Sequence, residues 1–210
     1  MTGIILTSDD FGLSQIYNDK IVEMLQFGYL TSVSVMVKRI SEKQNSQIQT
    51  LIDIYKSKEI SIGLHLELSE LDYLNDIEKQ WLLFETIFCF CPNYLDLHKS
   101  NHFKGNFNDI AKFCNSKNIP FRKYSSVSTF VNTPTNSITA TYIDIDKIKN
   151  LIDNLEDNKI YELVFHIGMN DPNSKSILNS EREADIEKLV QTYKYLKYKR
   201  CILSNYCQII

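Results

Sequence analysis

The chain has 210 residues and a formal net charge of −3, from 23 basic and 26 acidic side chains. Apolar residues make up 43% of it and charged residues 23%, which is typical of a globular protein and excludes a largely disordered one. The charge balance gives no indication of a nucleic-acid or anionic-membrane partner, and no apolar run approaches the roughly 18 residues of a membrane span. The first ten residues do not resemble a signal peptide, and an odd cysteine count favours free thiols, so we expect a cytoplasmic protein.

The apolar residues switch repeatedly between the two-residue repeat of strands and the roughly 3.6-residue repeat of helices. In chain order the pattern predicts strands at 3–8, 31–37, 60–68, 94–98, around Phe121, and at 137–142, 162–166 and 200–203. Between them it predicts helices at 14–28, 48–55, 77–88, 107–114 and 144–155, and a last helix that follows residue 180. Ser14 and Asp144 are the expected caps of the first and fifth helices, and a Ser180–Glu183 capping box is expected to begin the last one. Strands that alternate with helices predict a parallel sheet, either closed as a barrel or open, in a single domain over residues 1–210. In both cases the site is expected at the carboxyl ends of the strands.

Ionisable residues follow four of these strands. Asp9 and Asp10 come directly after the first, where adjacent carboxylates repel each other unless a cation or a proton resolves the repulsion. An Asx turn or a helix cap is the alternative interpretation of this pair. The strand 60–68 alternates strictly and turns His65 away from its aliphatic face. A single strand histidine is more often structural than a ligand.

The four histidines of the chain are not scattered. His65, His98 and His166 end predicted strands, and His102 follows one by four residues. An aspartate pair with two strand-end histidines suits an Asp-His-His metal site that leaves positions open for water and substrate. A metal there would acidify bound water and polarise a carbonyl, a neighbouring carboxylate could take the proton, and a third histidine could protonate the leaving group. This combination predicts metal-assisted hydrolysis of an amide or an ester.

The same residues carry a family resemblance. The segment 5–14, ILTSDDFGLS, resembles the opening signature of the YdjC-like carbohydrate deacetylases, the chitooligosaccharide deacetylase group. Further segments resemble later elements of that family in the same order: 30–37, 63–66, 96–98 with His102, 120–122, 162–168 and 180–183.

The resemblance implies an irregular, TIM-like (β/α) barrel with about seven parallel strands, and an amide hydrolase of carbohydrate metabolism that removes acetyl from a small N-acetylated sugar. It implies one divalent cation, magnesium or zinc. The residues it assigns are Asp10, His65 and His98 as metal ligands, Asp9 as general base, His166 as the candidate acid, Arg122 as the residue that orients Asp9, and His102 as a residue that lines the sugar site. Asp96 shares a strand face with His98, two residues away, and we expect it either to support a histidine from behind or to contact substrate.

The sequence departs from the family at Tyr94, at Lys99 to Asn101 and at Ile167, where the family usually has a histidine, a denser histidine cluster and a proline. We expect these departures to fall where substrate is gripped or covered. The short spacing from His65 to His98 leaves room for a neighbouring subunit of a homo-oligomer to complete the site.

Two other functions stay open. The same barrel could hydrolyse another acyl group or a nucleotide sugar, because fold does not fix substrate. Alternatively, the cleft could bind carbohydrate without catalysis, although a binding cleft has no use for two adjacent aspartates.

Overall fold

The computed structural model describes residues 2–69, 72–125, 127 and 131–209. In this part of the chain, parallel strands alternate with α-helices. The strands are β1 (Gly3–Phe11), β2 (Ser32–Val35), β3 (Ser61–Leu66), β4 (Leu95–Leu97), β5 (Asn136–Thr139), β6 (Ile160–Phe165) and β7 (Ile202–Ser204). The helices are α1 (Gln15–Gln26), α2 (Asn45–Ser57), α3 (Tyr73–Phe88), α4 (Phe107–Ser116), α5 (Ile145–Asp153) and α6 (Arg182–Tyr198). None of the described helices is both long enough and apolar enough to cross a membrane.

The central strand of the sheet is β1. The strand order is β4-β3-β2-β1-β6-β5, and β7 pairs with the first residues of β1 while β2 pairs with its second half. All of these pairs are parallel. The sheet curls into an irregular (β/α) barrel of seven strands, which confirms the predicted fold.

An irregular segment spans the gap between the edge strands β4 and β5. The predicted strand around Phe121 is reduced to one parallel bridge with Leu95, followed by a hydrogen bond from the Arg122 amide to the Leu95 carbonyl at 3.0 Å. On the other side, the Lys123 amide donates to the Ser137 hydroxyl at 3.3 Å. Pro120 has no N–H to donate, which limits pairing at this point.

The helix starts follow the sequence in part. Ser14 caps α1 as predicted, because its hydroxyl accepts from the Ile16 amide at 3.2 Å. Asp144 holds the cap position of α5 without a capping hydrogen bond from its side chain. The predicted Ser180–Glu183 capping box is wrong, because α6 begins at Arg182 and the Glu183 carboxylate accepts from the Asn170 amide instead.

The predicted strand 137–142 is also shorter than expected. The strand β5 ends at Thr139, and residues Ala140–Tyr142 form a 3₁₀ turn.

The two faces of the sheet differ in chemistry. Aliphatic side chains such as Ile62 and Leu64 join the core between sheet and helices. At the amino end of the barrel interior, the rings of Tyr94 and Tyr206 stack with centroids 3.7 Å apart. The Ser32 hydroxyl donates to the Tyr94 hydroxyl at 2.9 Å.

Tyr94 and Ile167 are therefore not where we expected the departures from the family to lie. Both side chains are fully buried, and neither lines the large cavity described below. Tyr94 fills the barrel interior over Gly63, where a Cβ atom would lie only 2.3 Å from the tyrosine ring.

We expect Gly63→Ala to destabilise the protein by about 1–3 kcal/mol, because the added methyl group overpacks the barrel interior against Tyr94. Urea unfolding of the variant measures this loss. In a Tyr94→Leu background the same substitution should cost less, since the ring it strikes is gone. Equal costs in both backgrounds would contradict the steric explanation.

Candidate active site

A bulge in β1 turns two consecutive aspartates to the same side. Between Ser8 and Phe11 the strand has two residues, Asp9 and Asp10, opposite the single residue Ser34 of β2. In a regular strand neighbouring side chains point to opposite faces, and a bulge removes that alternation. Asp10 adopts a left-handed backbone with φ of 70°. Both carboxylates consequently line the same cavity.

Gly12 completes this turn. Its φ is +100°, and a Cβ atom there would lie 2.9 Å from the Met36 carbonyl oxygen. Only glycine fits this position without strain. The Asp-Asp-Phe-Gly string thus encodes a bulge, a buried Phe11 and the turn that follows it.

Asp10, His65 and His98 form the predicted ligand triangle. The Asp10 Oδ1 atom lies 3.4 Å from His65 Nε2 and 3.3 Å from His98 Nδ1, and the two nitrogens are 3.3 Å apart. Ligand atoms that bind one cation at about 2.0–2.2 Å lie roughly 3.0–3.4 Å from each other. Asp10 Oδ1 is buried without a hydrogen-bond partner among the described residues. A divalent cation fits this donor set.

Two of the three candidate ligands, His65 and Asp10, have a partner on the side away from the triangle. His65 Nδ1 lies 3.0 Å from Asp96 Oδ1. Asp10 Oδ2 accepts from Arg182 Nη2 at 2.6 Å. The Arg182 guanidinium is fully buried and lies 3.9 Å from the ring centroid of Tyr17. Partners of this kind fix ring and carboxylate orientation at metal sites.

Arg122 connects three strands beneath the triangle. It forms a bidentate pair with Asp9 from β1, at 2.7 and 2.8 Å, and contacts Glu162 of β6 at 3.0 and 3.1 Å. It also pairs with Asp96 of β4. All four side chains are buried.

Buried acidic groups outnumber buried guanidinium groups around the triangle. Four carboxyl groups contact two guanidinium groups: Asp9, Asp10, Asp96 and Glu162 against Arg122 and Arg182. Burial raises the pKa of Asp10, but the close imidazoles of His65 and His98 outweigh it and hold the pKa well below its usual range. Burial lowers the pKa of His65, but the Asp96 and Asp9 charges outweigh it and raise the pKa well above its usual value. The site therefore favours a positive charge at this point, either a proton or a cation.

His166, directly after β6, faces the same cavity from the opposite side of β1. Its Nδ1 atom lies 2.9 Å from the Thr141 hydroxyl, which donates to Asp185 Oδ2 at 2.5 Å. Burial lowers the pKa of His166.

The cavity has a volume of about 1210 Å³. His102 is exposed and lines it, as does Tyr142, which is 70% exposed. Besides Arg122, five basic side chains line it: Lys38, Arg39, Lys99, Lys123 and Lys175. Apart from Asp9 and Asp10, the acidic residue among the lining residues is Glu67, which pairs with Arg39.

The structure brings most of the predicted site residues together. Asp9, Asp10, His65, His98 and Arg122 share direct contacts, and His102 and His166 line the same cavity. Asp96 is the exception, because it is fully buried behind His65 and does not line the cavity. Its predicted contact with substrate is replaced by contacts with His65, Ser34 and Arg122.

Sequence reasoning missed Arg182, Thr141 and Asp185. None of them ends a strand in the pattern that we searched. Arg182 lies in the segment 180–183 that carries the family resemblance, but that segment was interpreted as a helix start. In the structure a Cβ atom on Gly168 would lie 2.9 Å from Arg182 Cδ and 2.7 Å from Tyr17 Cδ1, so glycine leaves room for both side chains.

The barrel fold is shared with several proteins of known structure. A protein of Enterococcus faecalis V583, provisionally assigned as a cellobiose-phosphate cleavage protein, aligns with a TM-score of 0.73 and 17% identity over 98% of this chain and 97% of its own. A peptidoglycan N-acetylglucosamine deacetylase gives a TM-score of 0.62 and 14% identity over 99% and 87%. A family 4 acetyl xylan esterase from Clostridium thermocellum gives 0.59 and 14% over 99% and 89%. Identities this low show a shared fold.

The comparison by sequence matches a shorter part of the chain than the comparison by structure. The profile of the YdjC-like protein family matches residues 3–76, the part that carries the aspartate pair and His65. This match confirms the family resemblance. No curated protein matches the chain by sequence.

We expect Arg182→Met to lower the free energy of unfolding by about 3–5 kcal/mol, because it leaves the buried Asp10 carboxylate without its charged partner. Urea denaturation in the absence of added metal measures the loss. Arg182→Lys keeps the charge and should lose less. An unchanged stability of Arg182→Met would show that this ion pair does not hold Asp10 in place.

Proposed function

We propose that this protein is a metal-dependent carbohydrate deacetylase, which removes acetyl from a small N-acetylated sugar and releases acetate. The observation that carries the proposal is the triangle of Asp10, His65 and His98, with Asp9 and His166 lining the same cavity. An adjacent carboxylate and a separate histidine are what amide hydrolysis requires on the two sides of the scissile bond.

The names of similar structures support this substrate class. One is an N-acetylglucosamine deacetylase, and the acetyl xylan esterase from Clostridium thermocellum was crystallised with a cobalt ion. When bound to Asp10, His65 and His98, a divalent cation would supply Lewis-acid chemistry toward an acyl carbonyl and a water molecule.

Asp9 is the residue that would accept the proton of the attacking water. Burial raises the pKa of Asp9, but the Arg122 guanidinium outweighs it, so the pKa lies below its usual range and the carboxylate is ionised at neutral pH. Arg122 binds both oxygens and fixes the plane of the carboxylate. Its role is therefore orientation, as the family resemblance implied.

His166 would protonate the departing nitrogen. Its Nδ1 atom is engaged with Thr141, so the proton passes from Nε2 to the amine as the C–N bond breaks. The products are acetate and a free amino sugar.

The basic lining of the cavity favours an anionic sugar as substrate. Six lysine and arginine side chains line it, against three acidic ones, in a chain whose net charge is −3; four of the six are lysines. Such a lining attracts phosphate or a nucleotide diphosphate attached to the sugar. The provisional assignment of the Enterococcus faecalis protein to a sugar phosphate agrees with this preference.

The first test is metal binding by isothermal titration. We expect the native protein to bind one equivalent of Zn²⁺ or Mg²⁺, and His98→Ala to lose binding, because a triangle ligand is removed. His102→Ala is the matched control, since His102 lines the cavity outside the triangle and should leave the affinity unchanged. If the native protein binds neither ion, the metal-dependent mechanism fails.

The second test is acetate release from a panel of N-acetylated sugars with and without phosphate. We expect turnover that a chelator abolishes, that His65→Ala lacks, and that is faster on phosphorylated members at low salt because of the basic lining. Tight sugar binding that is equal with and without metal, together with no acetate, would instead indicate a carbohydrate-binding cleft. Turnover only on other acyl amides or on nucleotide sugars would show that the protein is a hydrolase with a different substrate class.

A further inference from the structure

We propose that Thr141 and Asp185 are positioning residues that hold the His166 ring in one tautomer, with a proton on Nδ1 and the Nε2 lone pair directed to the cavity. The significance of this tautomer for catalysis depends on the deacetylase function proposed above, but its existence does not. Neither residue belongs to the ligand triangle or to the group that Arg122 forms with Asp9, Asp96 and Glu162.

Three contacts carry the proposal. Thr141 Oγ1 lies 2.9 Å from His166 Nδ1 and 2.5 Å from Asp185 Oδ2. The same Asp185 oxygen accepts from the backbone amide of His166 at 2.9 Å. The Asp185 carboxylate is thus bonded directly to the backbone of His166, and it contacts the His166 ring through the Thr141 hydroxyl.

The proton count leaves one arrangement. An ionised carboxylate only accepts hydrogen bonds, so the single hydroxyl proton of Thr141 lies between Oγ1 and Asp185. The hydroxyl oxygen must then accept from His166, and His166 Nδ1 must carry a hydrogen. In the neutral ring this places the lone pair on Nε2.

The surroundings keep Asp185 in this role. Its side chain is fully buried, and Lys188, one turn along α6, lies 2.8 Å from its other oxygen. The Lys188 ammonium also donates to the Ala140 and Thr141 carbonyls at 3.2 and 2.7 Å. These bonds hold the 3₁₀ turn against α6 and leave Thr141 little freedom to rotate.

This tautomer suits a proton donor that faces the cavity. The imidazolium form carries hydrogens on both nitrogens and gives the Nε2 proton to the departing amine. The neutral ring that remains has its hydrogen on Nδ1, which is the form that Thr141 and Asp185 stabilise. The opposite tautomer would require the Thr141 proton to turn to Nδ1 and would set two acceptor oxygens 2.5 Å apart.

The test is a long-range ¹H–¹⁵N correlation spectrum of the native chain labelled in histidine, at a pH where His166 is neutral. His166→Gln identifies the His166 signals. We expect the Nδ1 shift of a protonated nitrogen and the Nε2 shift of an unprotonated one. In Thr141→Val both shifts should move toward intermediate values as the two tautomers mix, and Thr141→Ser should restore the native pattern.

Thr192→Val is the matched control. Thr192 lies on α6, is fully buried, and its hydroxyl has no hydrogen-bond partner among the described residues, so the substitution should leave the His166 shifts unchanged. A native spectrum with the hydrogen on Nε2, or a Thr141→Val spectrum identical to the native one, would overturn the proposal.

Turnover adds a separate reading. If acetate is released, Thr141→Val should lower kcat by about tenfold to a hundredfold with little change in KM, as part of the roughly 10²–10⁴-fold that a general acid supplies. If no sugar is deacetylated but the spectra behave as expected, the deacetylase function fails and the tautomer control stands. If acetate is released and the spectra do not respond, only the positioning role fails.

Discussion

The ion pairs of the Arg122 guanidinium are the interactions on which the rest of the site depends. It binds carboxylates from β1, β4 and β6, which are distributed across nearly the full width of the sheet. Arg122 itself lies on the irregular segment that spans the gap between the edge strands, where the backbone has few ladder bonds. The segment that joins the two edges of the sheet therefore also supplies a central side chain of the site. Removing one member of such a buried cluster leaves uncompensated charge, which costs far more than an exposed ion pair.

The two faces of the sheet differ in what they contribute. The outer face packs aliphatic side chains against the helices and supplies stability. The interior carries polar side chains, and three of the cavity-lining groups are each contacted by a residue from a different element. His65 is held by Asp96, Asp10 by Arg182, and His166 by Thr141. A site held in this way keeps its geometry without help from bound substrate.

The sequence predicted most of the strands and five of the side chains that meet at the cavity, because parallel strands bring their carboxyl ends to one edge. These five are Asp9, Asp10, His65, His98 and His166. The strict alternation of β3 placed His65 correctly on the interior face. Alternation could not predict that Asp9 and Asp10 point the same way, since that depends on a bulge set by the register with β2. It could not place Arg182 beside Asp10 either, because 172 residues separate them and the contact depends on how α6 packs. The two-residue spacing of Asp96 from His98 left two roles open, a partner behind a histidine and a substrate contact, because spacing gives no information on depth in the barrel; the structure places it behind His65.

The left-handed backbone of Asp10 has a consequence for engineering. Non-glycine residues in this conformation cost of order 1–3 kcal/mol, and replacement by glycine is a standard way to recover that energy. A stabilisation campaign guided by backbone geometry alone would therefore select position 10 among its first targets. The substitution would also delete the carboxylate that completes the ligand triangle. At position 10 a gain in the free energy of unfolding would therefore come with the loss of the carboxylate, and the proposed activity would be lost with it.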